Sequence, residues 1–175
     1  MELWIKPTEL ADVPAIVALR NDPATLLHLH DANQYSQSQT ESWLRTLPAT
    51  SKRFSVFEWE NTPQTPPLIG AFIGLVRIDR IDSVNRNCMI GLDLVPDHRG
   101  KGLSGKVYAW LLDYLFNQLN MHMLYLEVLE SNTRAQHVYE RLGFHVDGRL
   151  RQRVFRNGTY EDSILMSLLR SEYES

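Results

Sequence analysis

The chain has 175 residues, 43% of them hydrophobic and 22% charged, and a formal net charge of −3 at pH 7. That length predicts one domain, residues 1–175, able to bury roughly 70% of its unfolded surface without disulfides or a structural metal. The balance excludes disordered, collagen-like and low-complexity classes, and it lacks the global basicity that non-specific nucleic-acid binding needs. Cys88 is the only cysteine, so no intramolecular disulfide and no CxxC pair can form. The first residues show no signal peptide, and no run reaches the ~18–20 apolar residues of a membrane helix. The expected location is the cytoplasm, with neither membrane nor nucleic acid as a partner.

Leu3-Trp4-Ile5 reads as a short first strand. Leu10, Val13, Ile16, Val17 and Leu19 then follow a helical period, capped by Thr8 or Asp12. Pro23 ends it by pushing Asp22 out of helical geometry. The next segment is polar and holds His28, His30, Asp31, Asn33 and Tyr35. Ser38-Gln39-Thr40-Glu41 matches a capping box and opens a short helix with Trp43, Leu44 and Leu47 on its apolar face. Residues 54–59 read as a strand, and 61–67, with three prolines, as a loop. Residues 68–78 are apolar on both faces, as in a central strand. A polar, turn-like stretch over 79–87 leads to a strand over 88–95, in which Cys88 is a packing residue. After a glycine-rich run, Val107, Trp110, Leu111, Tyr114, Leu115 and Leu119 share one helical face. Residues 123–129 form a strand and 132–142 a helix, closed by Gly143 just past its end. Two last strands, 146–156 and 160–169, meet at Asn157-Gly158, which favours a type I′ hairpin turn. The order βα(α)βββαβαββ is that of an α/β (α+β) domain with a mixed sheet.

The run Asp97-His98-Arg99-Gly100-Lys101-Gly102-Leu103-Ser104-Gly105 lies between a strand and a helix. A helix N-terminus offers unpaired N–H groups and a partial positive charge. Glycines let the backbone approach a ligand, and Arg99 and Lys101 add charge, so the loop suits a phosphate or pyrophosphate. Two other readings stand beside this one. The glycines can simply make a tight turn. The run also matches G-x-G-x-x-G, the dinucleotide fingerprint of an oxidoreductase, with Glu130 where a ribose-binding acid stands. Against the fingerprint, Pro96 to Arg99 separate the strand from the glycines, a long β-meander precedes the motif, and too little chain follows it for a doubly wound sheet.

Arg99-x-x-Gly102, preceded by Leu92-Asp93-Leu94-Val95-Pro96, is followed by Asn132-x-x-Ala135-x-x-x-Tyr139-Glu140-Arg141-Leu142-Gly143-Phe144. This combination resembles the GNAT superfamily of acetyl-CoA-dependent N-acetyltransferases. Ser104 stands where the family carries Gly or Ala, but it is small and keeps its N–H. The segments around Arg20–Pro23, Ser38–Trp43 and Gly148–Asp162 are similar to the RimJ/RimL-type branch. That branch acetylates protein N-termini, polyamines, nucleotide-linked amino sugars or small amines. The resemblance implies a mixed, mostly antiparallel sheet of about seven strands, splayed at the fourth and fifth strands, with about four helices. It implies acetyl-CoA as cosubstrate, no metal, and a dimer of the kind common in the family.

By the same resemblance, Leu94 and Val95 pair their backbone with the pantetheine arm. The N–H groups of Arg99, Gly100, Lys101, Gly102, Leu103 and Ser104 hold the pyrophosphate. Asn132 bonds the cofactor near its pantetheine end, and the Tyr139 hydroxyl lies near the thioester sulfur. Taken singly, Asn132 also suits a helix N-cap and Tyr139 a core aromatic with a wet tip.

Direct attack on the thioester needs a neutral amine. An amine of pKa ~10.4 is neutral in about one molecule in 2,500 at pH 7, equivalent to ~4.6 kcal/mol. A base is therefore useful. Many relatives carry Glu at the position of Met89. Asp93, four residues on and on the same strand face, is the candidate, with His28, His30, Asp31 or Glu127 as substitutes. Asn21, Asp22 and His30 are the candidate acceptor-binding residues, although Arg20 to Asp22 equally suit a helix end and its turn. Arg149, Arg151 and Arg153 alternate onto one strand face. There they attract an anionic acceptor or form a solvated face. A domain that binds acyl-CoA without catalysis is the alternative function, motivated by Met89.

Overall fold

The computed structural model describes residues 2–31, 33–59 and 69–173. The proline-rich loop expected over 61–67 and the strand start at Leu68 lie outside the described residues. In chain order the elements are β1 (Glu2–Pro7), α1 (Val13–Asn21), α2 (Pro23–Leu26), α3 (Gln37–Arg45), β2 (Lys52–Trp59), β3 (Ile69–Asp82) and β4 (Asn87–Leu94). There follow α4 (Leu103–Asp113), β5 (Met123–Leu129), α5 (Thr133–Arg141), β6 (His145–Arg156), β7 (Thr159–Leu169) and α6 (Arg170–Tyr173). The described helices are six rather than about four; the two extra, α2 and α6, are single turns of four residues.

The strands make one sheet in the order β1-β2-β3-β4-β5-β7-β6. Adjacent strands run antiparallel except β4 and β5. A parallel pair needs a crossover, and α4 supplies it. That pairing holds only at Asn87–Met123, Cys88–Leu124 and Met89–Tyr125. Beyond it the strands part, as expected at the fourth and fifth strands.

Apolar side chains explain why both faces are covered. On one face, Leu103, Val107, Leu111 and Leu115 join Cys88, Ile90, Leu124 and Met166 in the main core. On the other, Ile16 and Leu19 of α1 pack on Leu75 of β3. A π turn over 114–118 continues α4 and inserts an extra residue per turn. The adjacent Leu115 and Phe116 are consequently both fully buried, where a regular helix would have turned Phe116 away.

Local signals differ from expectation at three places. The box at the start of α3 is Ser36 with Gln39, not Ser38 with Glu41. The Ser36 hydroxyl accepts from the Gln39 N–H at 3.2 Å, and the Gln39 side chain accepts from the Ser36 N–H at 2.9 Å. Asp12 precedes α1, but its carboxylate accepts from the Glu9 N–H and pairs with Lys6, closing the turn before the helix. β3 continues to Asp82, whose carboxylate then accepts from the Val84 and Asn85 N–H groups and makes the turn. Asn157 and Gly158 have φ of +48° and +82°, as a type I′ turn requires. Among the described residues, no helix is long and apolar enough to cross a membrane.

Candidate active site

The site follows from the parting of β4 and β5. Past Met89 the β4 edge has no strand partner on that side. Alternation sends Cys88 and Ile90 into the main core, while Met89, Gly91 and Asp93 face the α1 side. Asp93 is 8% exposed. Its carboxylate accepts from Arg20 Nη1 at 3.3 Å and from Arg77 Nη2 at 3.2 Å, and Arg77 Nε lies 3.0 Å away. Arg77 stands opposite Gly91 in the ladder. A Cβ on Gly91 would come within 2.8 Å of Arg77 Nη2, so the glycine makes room for this guanidinium to reach Asp93. The Asp93 charge in turn raises the Arg77 pKa above its ordinary value.

The glycine-rich run makes the turn from β4 into α4. Gly100 and Gly102 have φ of +79° and +75°, the left-handed region where a side chain is strained. This curls the backbone so that Gly100 and Ser104 line a groove shared with Leu94, Asn132 and Tyr139. The Arg99 side chain turns back onto the protein. Its Nε donates to the Leu94 carbonyl at 2.9 Å, and its Nη2 to Thr25 Oγ1 at 2.6 Å. It therefore ties the loop to β4 and α2 while lining the groove. Arg134 lines the groove beside Arg99, and its Nη2 would lie 2.7 Å from a Cβ on Gly100. Its place in the first turn of α5, two residues after Asn132, was the signal in the sequence. Lys101, whose side chain is exposed, and Leu103, buried in the core, are not among the residues that line the groove. The Val95 N–H is taken by the Ile73 carbonyl at 2.9 Å, which leaves Leu94 as the groove-lining member of that pair.

Asn132 caps α5, its Oδ1 accepting from the Ala135 N–H at 3.2 Å. Its amide NH2 remains for a ligand in the groove it lines. The Tyr139 hydroxyl accepts a hydrogen bond from the Tyr108 hydroxyl at 3.3 Å, with the two rings edge to face. Burial raises the pKa of both phenols, so Tyr139 is protonated at neutral pH. Tyr108 was missed because it lies off the counted apolar face of α4. Its hydroxyl within a buried helical stretch was the available clue.

In a cleft that shares Asp93, Asn132 and Tyr139 with this groove, His30 Nε2 lies 2.9 Å from Ser163 Oγ and 3.7 Å from Glu127 Oε2. Burial is the main cause that lowers the His30 pKa, so the ring is neutral at pH 7. Burial and the charge of Arg99 lower His28 similarly. Arg20, not Asn21 or Asp22, lines this cleft. Asn21 makes a two-way amide clamp to the Tyr35 backbone, 2.8 Å in each direction, and Asp22 caps α2 through the Thr25 N–H. These two build the loop above the cleft.

The three hairpin arginines do not share a face. A bulge between Leu150 and Val154, with Gln152 at φ +53°, breaks the alternation. Arg149 pairs with Glu130 and Asp162, which also engages the acid considered for a ribose. Arg153 alone of the three lines the cleft. Burial pushes the Cys88 thiol pKa up to about 12, so this residue packs and does not attack. Among the described residues, no three His, Cys, Asp or Glu side chains are grouped to hold a metal ion.

The acetyltransferase (GNAT) domain family model matches residues 2–145. A spermidine N(1)-acetyltransferase of Vibrio cholerae is 39% identical over 101 residues, covering 58% of this chain and 58% of the relative. That of Escherichia coli K12 is 36% identical over 104 residues, covering 59% and 56%. The aligned stretch thus spans a little over half the length of these curated relatives. The crystal structure of spermidine N-acetyltransferase from Vibrio cholerae in complex with CoA and spermine superposes with a TM-score of 0.87 at 29% identity. It covers 99% of this chain and 98% of that one.

Proposed function

Because the chain belongs to the GNAT acetyltransferase domain family, we propose that it transfers the acetyl group of acetyl-CoA to a primary amine by direct attack in a ternary complex. One observation carries this reading: the glycine loop that opens α4 and the Tyr139 hydroxyl of α5 line the same groove, at the place where β4 and β5 part. A Cβ on Gly100 would crowd that groove, and the N–H groups leading into α4 suit a pyrophosphate. Arg134 adds a cation, Leu94 offers the pantetheine arm its backbone, and Asn132 its free amide NH2. Acetyl-CoA supplies the activated thioester.

The residues then divide the chemistry. Backbone N–H groups on the unpaired β4 edge polarise the carbonyl as oxygen charge develops. His30 takes the place of Asp93 as base, because two guanidinium groups already engage the Asp93 carboxylate; neutral His30 accepts the amine proton, and Glu127 stabilises the imidazolium so formed. Asp93, engaged by Arg20 and Arg77, orients both cations at the cleft. The amine nitrogen bonds to the carbonyl carbon, the C–S bond breaks, and Tyr139 protonates the departing thiolate. The products are the amide and CoA, and no covalent enzyme intermediate is required.

The relatives named as spermidine acetyltransferases support a polyamine as the reference acceptor. Protein N-termini and amino sugars belong to the wider set, and the RimJ/RimL-like placement rests on the flanking segments. A single domain over 1–175, a cytoplasmic location and a homodimer complete the proposal. For the dimer the support is the edge strand β6 and its hairpin partner, where Phe155 and Tyr160 are more than half exposed.

Thermal unfolding with acetyl-CoA and NADH tests the cofactor assignment. At 100 Kd, acetyl-CoA adds about 2.7 kcal/mol, a rise in Tm of roughly 5–10 °C for this length. CoA release with spermidine and other primary amines then tests the activity. No rise with acetyl-CoA removes the loop assignment, and a rise with NADH alone transfers the loop to the dinucleotide reading. Binding without CoA release from any amine supports the non-catalytic alternative.

A further inference from the structure

We infer that the acceptor of this chain carries an anionic group, a carboxylate or a phosphate, held by Arg80 and Arg153 while its amine lies at His30 and Glu127. This rests on the acetyltransferase reading and, within its set of acceptors, places anionic amines above the polyamines. Four arginines, Arg20, Arg77, Arg80 and Arg153, line the acceptor cleft against three carboxylates, Asp31, Asp93 and Glu127. Both its histidines are neutral at pH 7. Asp93 is shared by Arg20 and Arg77, and Asp31 pairs with Arg20. What faces an incoming substrate is therefore Arg80, Arg153 and Glu127, and Arg153 Nε is only 3.8 Å from Glu127.

Two interruptions in regular strands deliver these cations. Arg80 has φ +53°, which L side chains rarely adopt, and lies where the β3–β4 register shifts between Asp79 and Asp82. Such a bulge re-aims a side chain, and here it brings Arg80 to the cleft, where it makes no hydrogen bond or ion pair with any described residue. The bulge at Gln152 presents Arg153 from the opposite strand. Backbone strain held at a cleft, ending in an unpaired guanidinium, is the arrangement that captures an anion. A polycationic tail would meet like charge at the same place.

The test uses the full chain with acetyl-CoA and four primary amines: O-phosphoethanolamine, β-alanine, uncharged propylamine and spermidine. The expected result is a kcat/KM about tenfold or more higher for the phosphate or the carboxylate amine than for propylamine or spermidine. Which of the two leads identifies the anion. That preference falls about tenfold in Arg80→Ala and in Arg153→Gln, and Arg80→Lys restores part of it. A second readout is the binding of inorganic phosphate to protein saturated with CoA, weakened by Arg80→Ala. A preference for spermidine that neither arginine variant changes, or phosphate binding indifferent to Arg80, overturns the inference. Absence of acetyl-CoA binding and of CoA release overturns the transferase reading instead, and inorganic phosphate binding to the free protein, compared with Arg80→Ala, still decides the subsite.

Discussion

Tyr139 and Cys88 show how environment sets the use of a side chain. Tyr139 is protonated, half-buried and bonded to Tyr108, the state that the proposed proton transfer to a thiolate needs. A thiolate of pKa ~8.5 leaves slowly but not impossibly without that proton. Tyr139→Phe is therefore expected to lower kcat about 10²-fold with little change in the acetyl-CoA KM. Steady-state kinetics check this, and a changed KM with unchanged kcat would mean a packing role instead. Cys88 is fully buried and its pKa stands at about 12. It should not react with a thiol reagent in native protein and should react at once in denaturant. Fast reaction of folded protein would show an opening of β4 that the packing does not suggest. At this scale the motif spacing singled out Asn132 and Tyr139, and the two line one groove. It could not reveal that Arg99 bonds Leu94 and Thr25, since Thr25 lies on a distant helix.

Elements act here through their ends. The β4–α4 turn depends on two left-handed glycines, and Gly100 also approaches Arg134. Gly100→Ala introduces about 1–2 kcal/mol of backbone strain and tilts the N–H groups that we propose hold a pyrophosphate. The expected outcome is roughly tenfold weaker acetyl-CoA binding by calorimetry, with kcat at saturation nearly unchanged. An equal loss in kcat alone would place the loop outside the cofactor site. Turn and cap chemistry was legible wherever it is local, as at Asn157-Gly158 and Gly143. It slipped by two residues at α3, where Ser36 and Ser38 both satisfy the pattern and only the incoming path of the chain chooses between them. Strand alternation predicted a shared face for Arg149, Arg151 and Arg153, and the bulge at Gln152 undid it.

Over the whole molecule, the partial desolvation of His28 and His30 links folding to pH. Both have folded pKa values below the unfolded value of about 6.5, so the unfolded chain binds their protons first. Their contribution to stability is complete above pH 6.5 and is lost as pH falls through the lower folded values. The urea midpoint should therefore drop between pH 7 and pH 5, and His30→Gln should flatten that slope. An unchanged slope in the variant would mean that the ring stays hydrated in the cleft. For catalysis the same shift places the acid limb of kcat/KM due to His30 below pH 6.5.

The sequence by itself determined the element order, the mixed sheet and the glycine-rich turn between β4 and α4, because periodicity, caps and motif spacing are properties of neighbours along the chain. It also carried the family resemblance, since the two motifs lie at fixed separations. Only the tertiary structure decided which charges meet. Asp93 finds Arg20 from α1 and Arg77 across Gly91, His30 finds Ser163 and Glu127, and Arg80 and Arg153 converge on one cleft from different strands. Those encounters depend on register, bulges and the angle at which β4 and β5 part, and these are settled by packing between segments far apart in the chain.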